Sequence, residues 1–164
     1  MLSRPRDDGA VAVEFALLVP LLVLLLTAIL DYGMWYSDSI ALRNGVREAA
    51  RAGAVDQFPG CEGGGTAAEK TECMVNSRVD GILSGDPVTR VYSLPNGLDW
   101  QEGDPLIVCA VLHEDGLIGL APLPDDGFLR SHVIMRVEVD QPAPDGDSVH
   151  PVDPTGDDWG WCAP

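Results

Sequence analysis

The sequence predicts an α+β protein in which a long N-terminal helix carries a small body of one further helix and about three antiparallel strands. An apolar run with a single charge comes first, a stripe at helical spacing continues it, and short strand-like runs follow between residues 88 and 140. The predicted segments are a leader (1–9), an apolar transmembrane helix (10–30), its amphipathic continuation (31–55), the α+β domain (56–141) and an irregular acidic tail (142–164).

The run Ala10–Leu30 is long enough to span a membrane. A helix rises about 1.5 Å per residue, so this run covers roughly 30 Å, the hydrocarbon thickness of a bilayer. Pro20 lies inside it, and a kink is expected there because neighbouring groups in a membrane can satisfy the freed carbonyl. A cleaved signal peptide is the alternative, but its apolar stretch is only roughly 7–15 residues long and a small-x-small site follows it. The longer run, followed by Asp31-Tyr32-Gly33, favours a retained anchor.

Charge around the run predicts its orientation. Arg4 and Arg6 precede it, and basic residues favour the cytoplasmic side. Beyond Gln57 the chain has 19 acidic residues against 5 basic ones, a net charge of −14. We therefore expect a single-pass protein of the cell membrane with a cytoplasmic N-terminus and an extracytoplasmic body. The acidic body disfavours binding to nucleic acid, which requires a basic patch.

Four cysteines follow the apolar run and none forms a C-x-x-C pair: Cys61, Cys73, Cys109 and Cys162. An even count in an exported body predicts two disulfides. Proximity in sequence favours Cys61–Cys73, which leaves Cys109–Cys162; free buried thiols are the alternative. No spacing of cysteine and histidine matches a zinc site, so no metal is predicted.

Past the membrane, apolar and small residues recur every three or four positions, which is typical of a helical stripe. The stripe consists of Tyr32, Trp35, Tyr36, Ser39, Leu42, Val46, Ala49, Ala50 and Gly53. It either packs on the protein's own body or packs against sibling helices. The residues for such subunit packing would be Glu14, Tyr32, Trp35, Tyr36, Leu42, Val46 and Ala49. Small residues at Ala41, Gly45, Ala49 and Gly53 would permit close helix contact.

The body begins with a predicted helix. Thr66 and Glu69 have the spacing of a capping box. The apolar face comprises Ala68, Val75, Val79, Ile82 and Leu83, and residues 84–87 end the helix.

Strands are predicted at Val88–Ser93, Leu106–His113 and His132–Asp140. The second is apolar on both faces and therefore central in the sheet. The third alternates, with Val133, Met135, Val137 and Val139 on one face. The state of Leu117–Leu123 is ambiguous because Gly119 and Pro122 interrupt it.

The tail is rich in proline, glycine and aspartate, a composition that disfavours regular structure. Trp159 and Trp161 beside Cys162 either pack on the sheet or form an exposed patch for a partner, and packing is favoured. The tail aspartates are expected to be solvated rather than bound to calcium, because their spacing does not match an EF-hand loop. They are Asp145, Asp147, Asp153, Asp157 and Asp158.

The segment Gly9–Phe15, G-AVAV-EF, resembles a type IV prepilin-like signal. Asp31-Tyr32-Gly33 closes the apolar run, ALRNGVREAARAGA spans Ala41–Ala54, and SHVIMRVE spans Ser131–Glu138. Together these segments resemble the TadE-like minor pseudopilins of tight-adherence (Flp-type) pili. The resemblance is dense over residues 9–55 and thinner over 105–140.

This resemblance implies a structural protein that helps to initiate, prime or cap a pilus. It implies cleavage by a prepilin peptidase between Gly9 and Ala10, with Glu14 and Phe15 as the recognition pair. The implied partners are that peptidase, a TadF-like sibling pseudopilin, the assembly platform, the pilin and membrane lipid. After cleavage the Ala10 ammonium would pair with a Glu14 carboxylate; alternatively Glu14 extends to water at the membrane edge.

No catalytic residue or cofactor is predicted. His113, His132 and His150 are scattered, and neither H-E-x-x-H nor G-x-S-x-G occurs. Two rival functions remain. One is a signal-anchored extracytoplasmic binding module that does not enter a fibre, and the other is an anchored hydrolase.

Overall fold

A computed structural model describes residues 8–63, 65–79, 85–94, 100–116, 122–141, 153–156 and 158–163. It confirms the predicted α+β class. The elements are the helices α1 (Asp8–Ala54) and α2 (Ala67–Arg78) and the strands β1 (Val88–Ser93), β2 (Pro105–His113) and β3 (Phe128–Arg136). Several predictions concern residues outside the described ones: most of the leader, Ile82, Leu83, residues 117–121, Asp145, Asp147, His150 and Asp157.

Helix α1 joins the apolar run and the predicted stripe in one element of 47 residues, with Pro20 inside it. At about 1.5 Å per residue it is roughly 70 Å long, more than twice the thickness of a bilayer's hydrocarbon core. Its apolar part is exposed, whereas Leu42, Val46 and Ala50 near its end are buried. We call the exposed part, residues 9–30, the stem, and the described residues from 42 onward the head.

The end of α1 is held by the chain that follows β3. The last carbonyls of a helix lack partners within the helix and need others. Here the Gly53 carbonyl accepts a hydrogen bond from the Gln141 side-chain amide. The Ala54 carbonyl accepts one from the Glu138 N–H at 2.8 Å. The C-terminal end of the sheet thereby fixes where α1 stops.

Helix α2 begins with the predicted capping box. The Thr66 Oγ1 accepts a hydrogen bond from the Glu69 N–H at 3.2 Å, and Glu69 Oε2 accepts one from the Thr66 N–H at 2.8 Å. The helix ends at Arg78, and Val79 is its buried cap. A disulfide between Cys61 and Cys73 joins α2 to the preceding loop, as predicted.

The three strands form an antiparallel sheet in the order β1-β2-β3. Cys109 in β2 lies opposite Arg90 in β1 and His132 in β3. The central position of β2 is therefore confirmed. It explains the continuous apolar sequence of this strand, because both of its faces are covered.

The prediction for the third strand was wrong in its bounds. The expected range was His132–Asp140, whereas β3 runs from Phe128 to Arg136. Pairing with β2 decides this, because Phe128 lies opposite His113 and Arg136 opposite Pro105. Val139, expected on the buried face, is 48% exposed because it lies beyond the end of β2.

Two clusters of buried side chains cover the two faces of β2. Leu106, Val108 and Leu112 pack with residues of α1 and α2 in the larger cluster. Ile107, Cys109 and Val111 pack with Trp159 and Cys162 in the smaller one. The disulfide Cys109–Cys162 links the C-terminal segment to the sheet, and the predicted packing of the tryptophans there is confirmed.

Candidate functional site: the stem and its junction with the head

The stem presents its apolar side chains outward along almost its whole length. Phe15, Leu17 and Ile29 are 65%, 74% and 69% exposed. Within the described part of the chain, α1 is the one helix long and apolar enough to cross a membrane. A continuous apolar surface of this size is stable only in lipid or against other apolar surfaces.

The residues expected to direct processing all lie on the first turns of α1. Gly9, Ala10, Glu14 and Phe15 are helical and exposed. Glu14 lies four residues after Ala10, the spacing at which side chains on one helix face meet. The geometry thus places the carboxylate one turn from the N-terminus that cleavage would create.

The stripe beyond the stem divides between the inside and the surface of the molecule. Leu42, Val46 and Ala49 are at most 1% exposed and pack in the protein's own core. Their contacts are therefore intramolecular, which is the first of the two alternatives. Tyr36 is 62% exposed, and Ile40, one turn further along, is 59% exposed. Beyond the stem, Tyr36 and Ile40 therefore present apolar surface that the described part of the chain leaves exposed.

Tyr32 and Trp35 lie at the junction between stem and head. The Tyr32 hydroxyl donates a hydrogen bond to the Pro122 carbonyl at 2.8 Å. Trp35 packs partly against the core of the head and meets the Tyr36 ring edge-on, with 5.3 Å between ring centroids. These two side chains join the base of the head to α1.

The glycines of the stripe allow other parts of the same chain to pack closely against α1. A Cβ atom at Gly45 would lie 3.0 Å from Cγ2 of Val79, and one at Gly53 would lie 3.0 Å from Cδ2 of Leu106. Gly53 also faces the Thr71 hydroxyl, where a Cβ would lie at 3.1 Å. Close approach by α2 and β2 thus explains both glycines without any contact between subunits.

We expect Gly53→Leu to lower the free energy of unfolding by about 2–3 kcal/mol, because overpacking a filled core forces side chains out of their rotamers. Leu106 and Thr71 are fully buried, so any shift that they make to admit the new side chain disturbs the core. Gly33→Leu is the matched control, since nothing lies within 4 Å of a Cβ at Gly33. Urea unfolding of the full chain in detergent micelles measures both; equal midpoints for the two variants would contradict the packing at Gly53.

Three carboxyl groups meet where the head rests on α1. Asp31 is 2% exposed at the end of the apolar run, Asp38 lies two turns further along α1, and Glu114 follows β2 and is 5% exposed. Burial, then a hydrogen bond to and repulsion from Asp38, and repulsion from Asp31 raise the pKa of Glu114 to about 8. The Glu114 carboxyl therefore holds its proton to higher pH than an ordinary glutamate, and it shares a hydrogen bond with the Asp38 side chain.

Sequence reasoning missed this carboxyl cluster. Asp31 and Asp38 are seven residues apart and so lie on one helix face, which was a usable signal. Nothing in the sequence placed Glu114 beside them, because that proximity depends on how the sheet lies against α1.

Asp153 in the C-terminal segment is a structural residue, so the expectation that it is solvated was wrong. It is 4% exposed. Its Oδ1 accepts from the Thr155 N–H and hydroxyl, at 2.9 and 2.7 Å. Its Oδ2 accepts from the Trp159 N–H at 3.0 Å and from the Trp161 indole N–H at 3.2 Å. Burial would raise the pKa of Asp153, but these hydrogen bonds outweigh burial and lower it.

The molecule thus consists of a single apolar stem helix that could cross a membrane, joined to a small disulfide-linked α+β head. Residues 9–51 match the family model for TadE-like protein. That segment lies within α1, and the match confirms the resemblance predicted from the sequence. Comparison with curated proteins and with solved structures gave no match. The match covers the stem and most of the rest of α1.

Proposed function

We propose that the protein is a minor pseudopilin that helps to initiate, prime or cap a tight-adherence pilus. The observation that carries this proposal is the coincidence of the family match at residues 9–51 with the exposed stem and the first part of the head-bearing helix. Such a helix can hold a subunit in the membrane while its head stays outside. The work of the protein is then contact between subunits rather than turnover of a substrate.

Glu14 supports this proposal because a charge in an apolar stem is costly unless it has a partner. Cleavage after Gly9 would leave an ammonium at Ala10, at the end of a helix where the macrodipole already disfavours positive charge. A carboxylate one turn away offsets that cost, on the same subunit or on a neighbour. A chain that serves only as an anchor has no need of this pair.

The proposed partners follow from the family match and the shape of the molecule. They are a prepilin peptidase at Gly9 and Ala10, a TadF-like sibling, the assembly platform and the pilin. The proposed orientation is a cytoplasmic N-terminus and an extracytoplasmic head, supported by Arg4 and Arg6 before the stem and by two disulfides in the head.

We expect the mature protein in its native cell to begin at Ala10. Mass spectrometry of the purified full chain measures the N-terminus directly. Gly9→Leu should leave the leader attached, because the residue before the scissile bond changes, while Gly33→Leu should be processed normally.

Glu14→Ala should reduce surface pili at least tenfold, as counted by electron microscopy, while the protein still reaches the membrane.

The two rival functions give different results. An anchored binding module would keep its leader, and its Glu14→Ala variant would make normal numbers of pili. An anchored hydrolase would also be insensitive at Glu14, and deletion of the gene would remove an activity without removing pili. A mature chain that retains Met1, or one that starts near Tyr32, contradicts the pseudopilin proposal.

A further inference from the structure

β3 is an edge strand, since the sheet order is β1-β2-β3 and no described strand pairs with its outer side. The hydrogen bonds that flank β3 show which groups point outward. The Glu114 N–H donates to the Gly127 carbonyl, and the Val137 N–H donates to the Asp104 carbonyl. Both pairs continue the register of β2 with β3, in which bonded positions alternate. Odd-numbered residues of β3 therefore bond to β2, and the backbone groups of Arg130, His132 and Ile134 point outward.

A groove of about 260 Å³ runs along this free edge, between β3 and α1. Its lining combines three arginines and a histidine with the β3 backbone: Arg43, Arg47, Arg130, Ser131, His132 and Val133. Arg43 and Arg47 are exposed and one turn apart on α1. The groove thus offers positive charge beside outward-pointing strand donors and acceptors of His132 and Ile134.

Arg43 and Arg47 have no ion pair or hydrogen bond among the described residues. Carboxylates are not scarce, because the chain has 26 acidic residues against 10 basic ones. Nearby cations do find partners: Arg78 pairs with Glu48 at 2.6 Å, and Arg130 lies 3.4 Å from Asp125. Two neighbouring arginines that have no carboxylate partner in the described part of so acidic a molecule favour an anion from outside as the group that completes the groove.

We propose that this groove binds an acidic extended segment of a second copy of the chain, which adds a strand to the edge of β3. Every copy has a net charge of −16, so each carries both the positive groove and abundant acidic surface. Strand addition supplies main-chain hydrogen bonds, and the arginines select acidic side chains. Such a head-to-tail contact joins copies in rings or in open series rather than as two-fold pairs. It requires only that two copies meet, so it is independent of the proposed function.

Energy transfer between labelled full-length chains in neutral phosphatidylcholine vesicles tests the charge requirement. Dyes on Gln101→Cys report association, since Gln101 is exposed and the native cysteines are bridged. We expect Arg43→Glu with Arg47→Glu to weaken association at least fivefold, and 0.5 M salt to weaken it in the parent chain. Lys70→Glu with Arg90→Glu makes the same change of charge away from the groove and should retain association. Equal loss in both double variants, or no loss in either, overturns the proposal.

A second pair of variants tests the strand edge itself. His132→Pro removes an outward N–H and leaves the bonds to β2 in place, as proline is tolerated on the free side of an edge strand. His132→Ala removes only the side chain. We expect the proline variant to associate at least fivefold more weakly than the alanine variant, at unchanged urea midpoint. Equal association overturns strand addition. If the proline lowers the midpoint, Ile134→Pro with Ile134→Ala repeats the comparison at the next outward position.

Discussion

Cys109→Ala with Cys162→Ala is expected to lower the free energy of unfolding by about 4 kcal/mol and to release the C-terminal segment from the sheet. The bridge spans 53 residues of chain. In the chain-entropy account, opening a loop of this length returns roughly 4 kcal/mol of conformational freedom to the unfolded state. The head is small, so a loss of this size is a large part of its stability.

The loss also has a structural consequence that fluorescence can follow. Trp159 is 4% exposed and packs against Ile107, Cys109 and Val111. The Tyr92 hydroxyl donates a hydrogen bond to the Cys162 carbonyl at 3.0 Å. The Asp153 carboxylate accepts hydrogen bonds from the Trp159 backbone N–H and the Trp161 indole N–H. Without the covalent link these contacts alone must hold the segment. We therefore expect tryptophan emission to shift to longer wavelength before the rest of the head unfolds in urea.

The second bridge is the matched control. Cys61→Ala with Cys73→Ala opens a loop of only 12 residues, for which the same account predicts about 3 kcal/mol. That pair joins α2 to its preceding loop, and Cys61 belongs to the larger cluster rather than to the one that contains Trp159 and Trp161. It should reduce stability without the early shift in emission. The same early shift in both variants would show that Cys109–Cys162 is not what holds the C-terminal segment.

Glu114→Gln is expected to stabilise the protein at alkaline pH and to remove much of its pH dependence. The pKa of Glu114 is raised from 4.5 to about 8 by burial and by its two aspartate neighbours. The folded state therefore binds this proton more tightly than the unfolded state does. Stability from this group is fully present below pH 4.5 and is lost as the pH rises through about 8, which amounts to roughly 2–4 kcal/mol. A glutamine stays neutral throughout that range and keeps a donor for Asp38.

Urea unfolding of the full chain in micelles at pH 6 and pH 9 measures this effect. The parent chain should lose stability between the two values, and Glu114→Gln should lose less. Asp115→Asn is the control, because the Asp115 side chain is 91% exposed and lies 3.4 Å from His113. Parallel losses in all three proteins would contradict a buried proton at Glu114.

Periodicity and local chemistry account for the parts of the fold that the sequence predicted well. The α1 helix, the capping box of α2 and the bounds of β1 depend on residues close together in the chain. The shifted bounds of β3 show where such reasoning fails. Alternation continues to Val139, but β2 begins only at Pro105, opposite Arg136, so the last predicted residues have no strand to pair with. Strand bounds are set by the partner strand as much as by the strand's own pattern.

The candidate site divides in the same way. Gly9, Glu14 and the apolar stem are readable in order along the chain, and the family match falls on them. The sequence did not predict two other features. They are the carboxyl cluster of Asp31, Asp38 and Glu114 and the groove at the edge of β3. Each depends on how the sheet packs against α1, and the spacing of residues within one segment does not specify that packing.

The amino-acid sequence decided that this protein has an apolar stem, a helix continuing beyond it and a head with paired cysteines, because helical period, charge and cysteine count are local or compositional properties. Tertiary structure alone decided which side of the stripe is buried. Gly45 and Gly53 could have served contact between subunits, yet they admit Val79 and Leu106 of the same chain. An apolar helix face must be buried to be stable in water. Here α2 and β2 of the same chain bury it, which is why these two glycines contact the head and not another subunit.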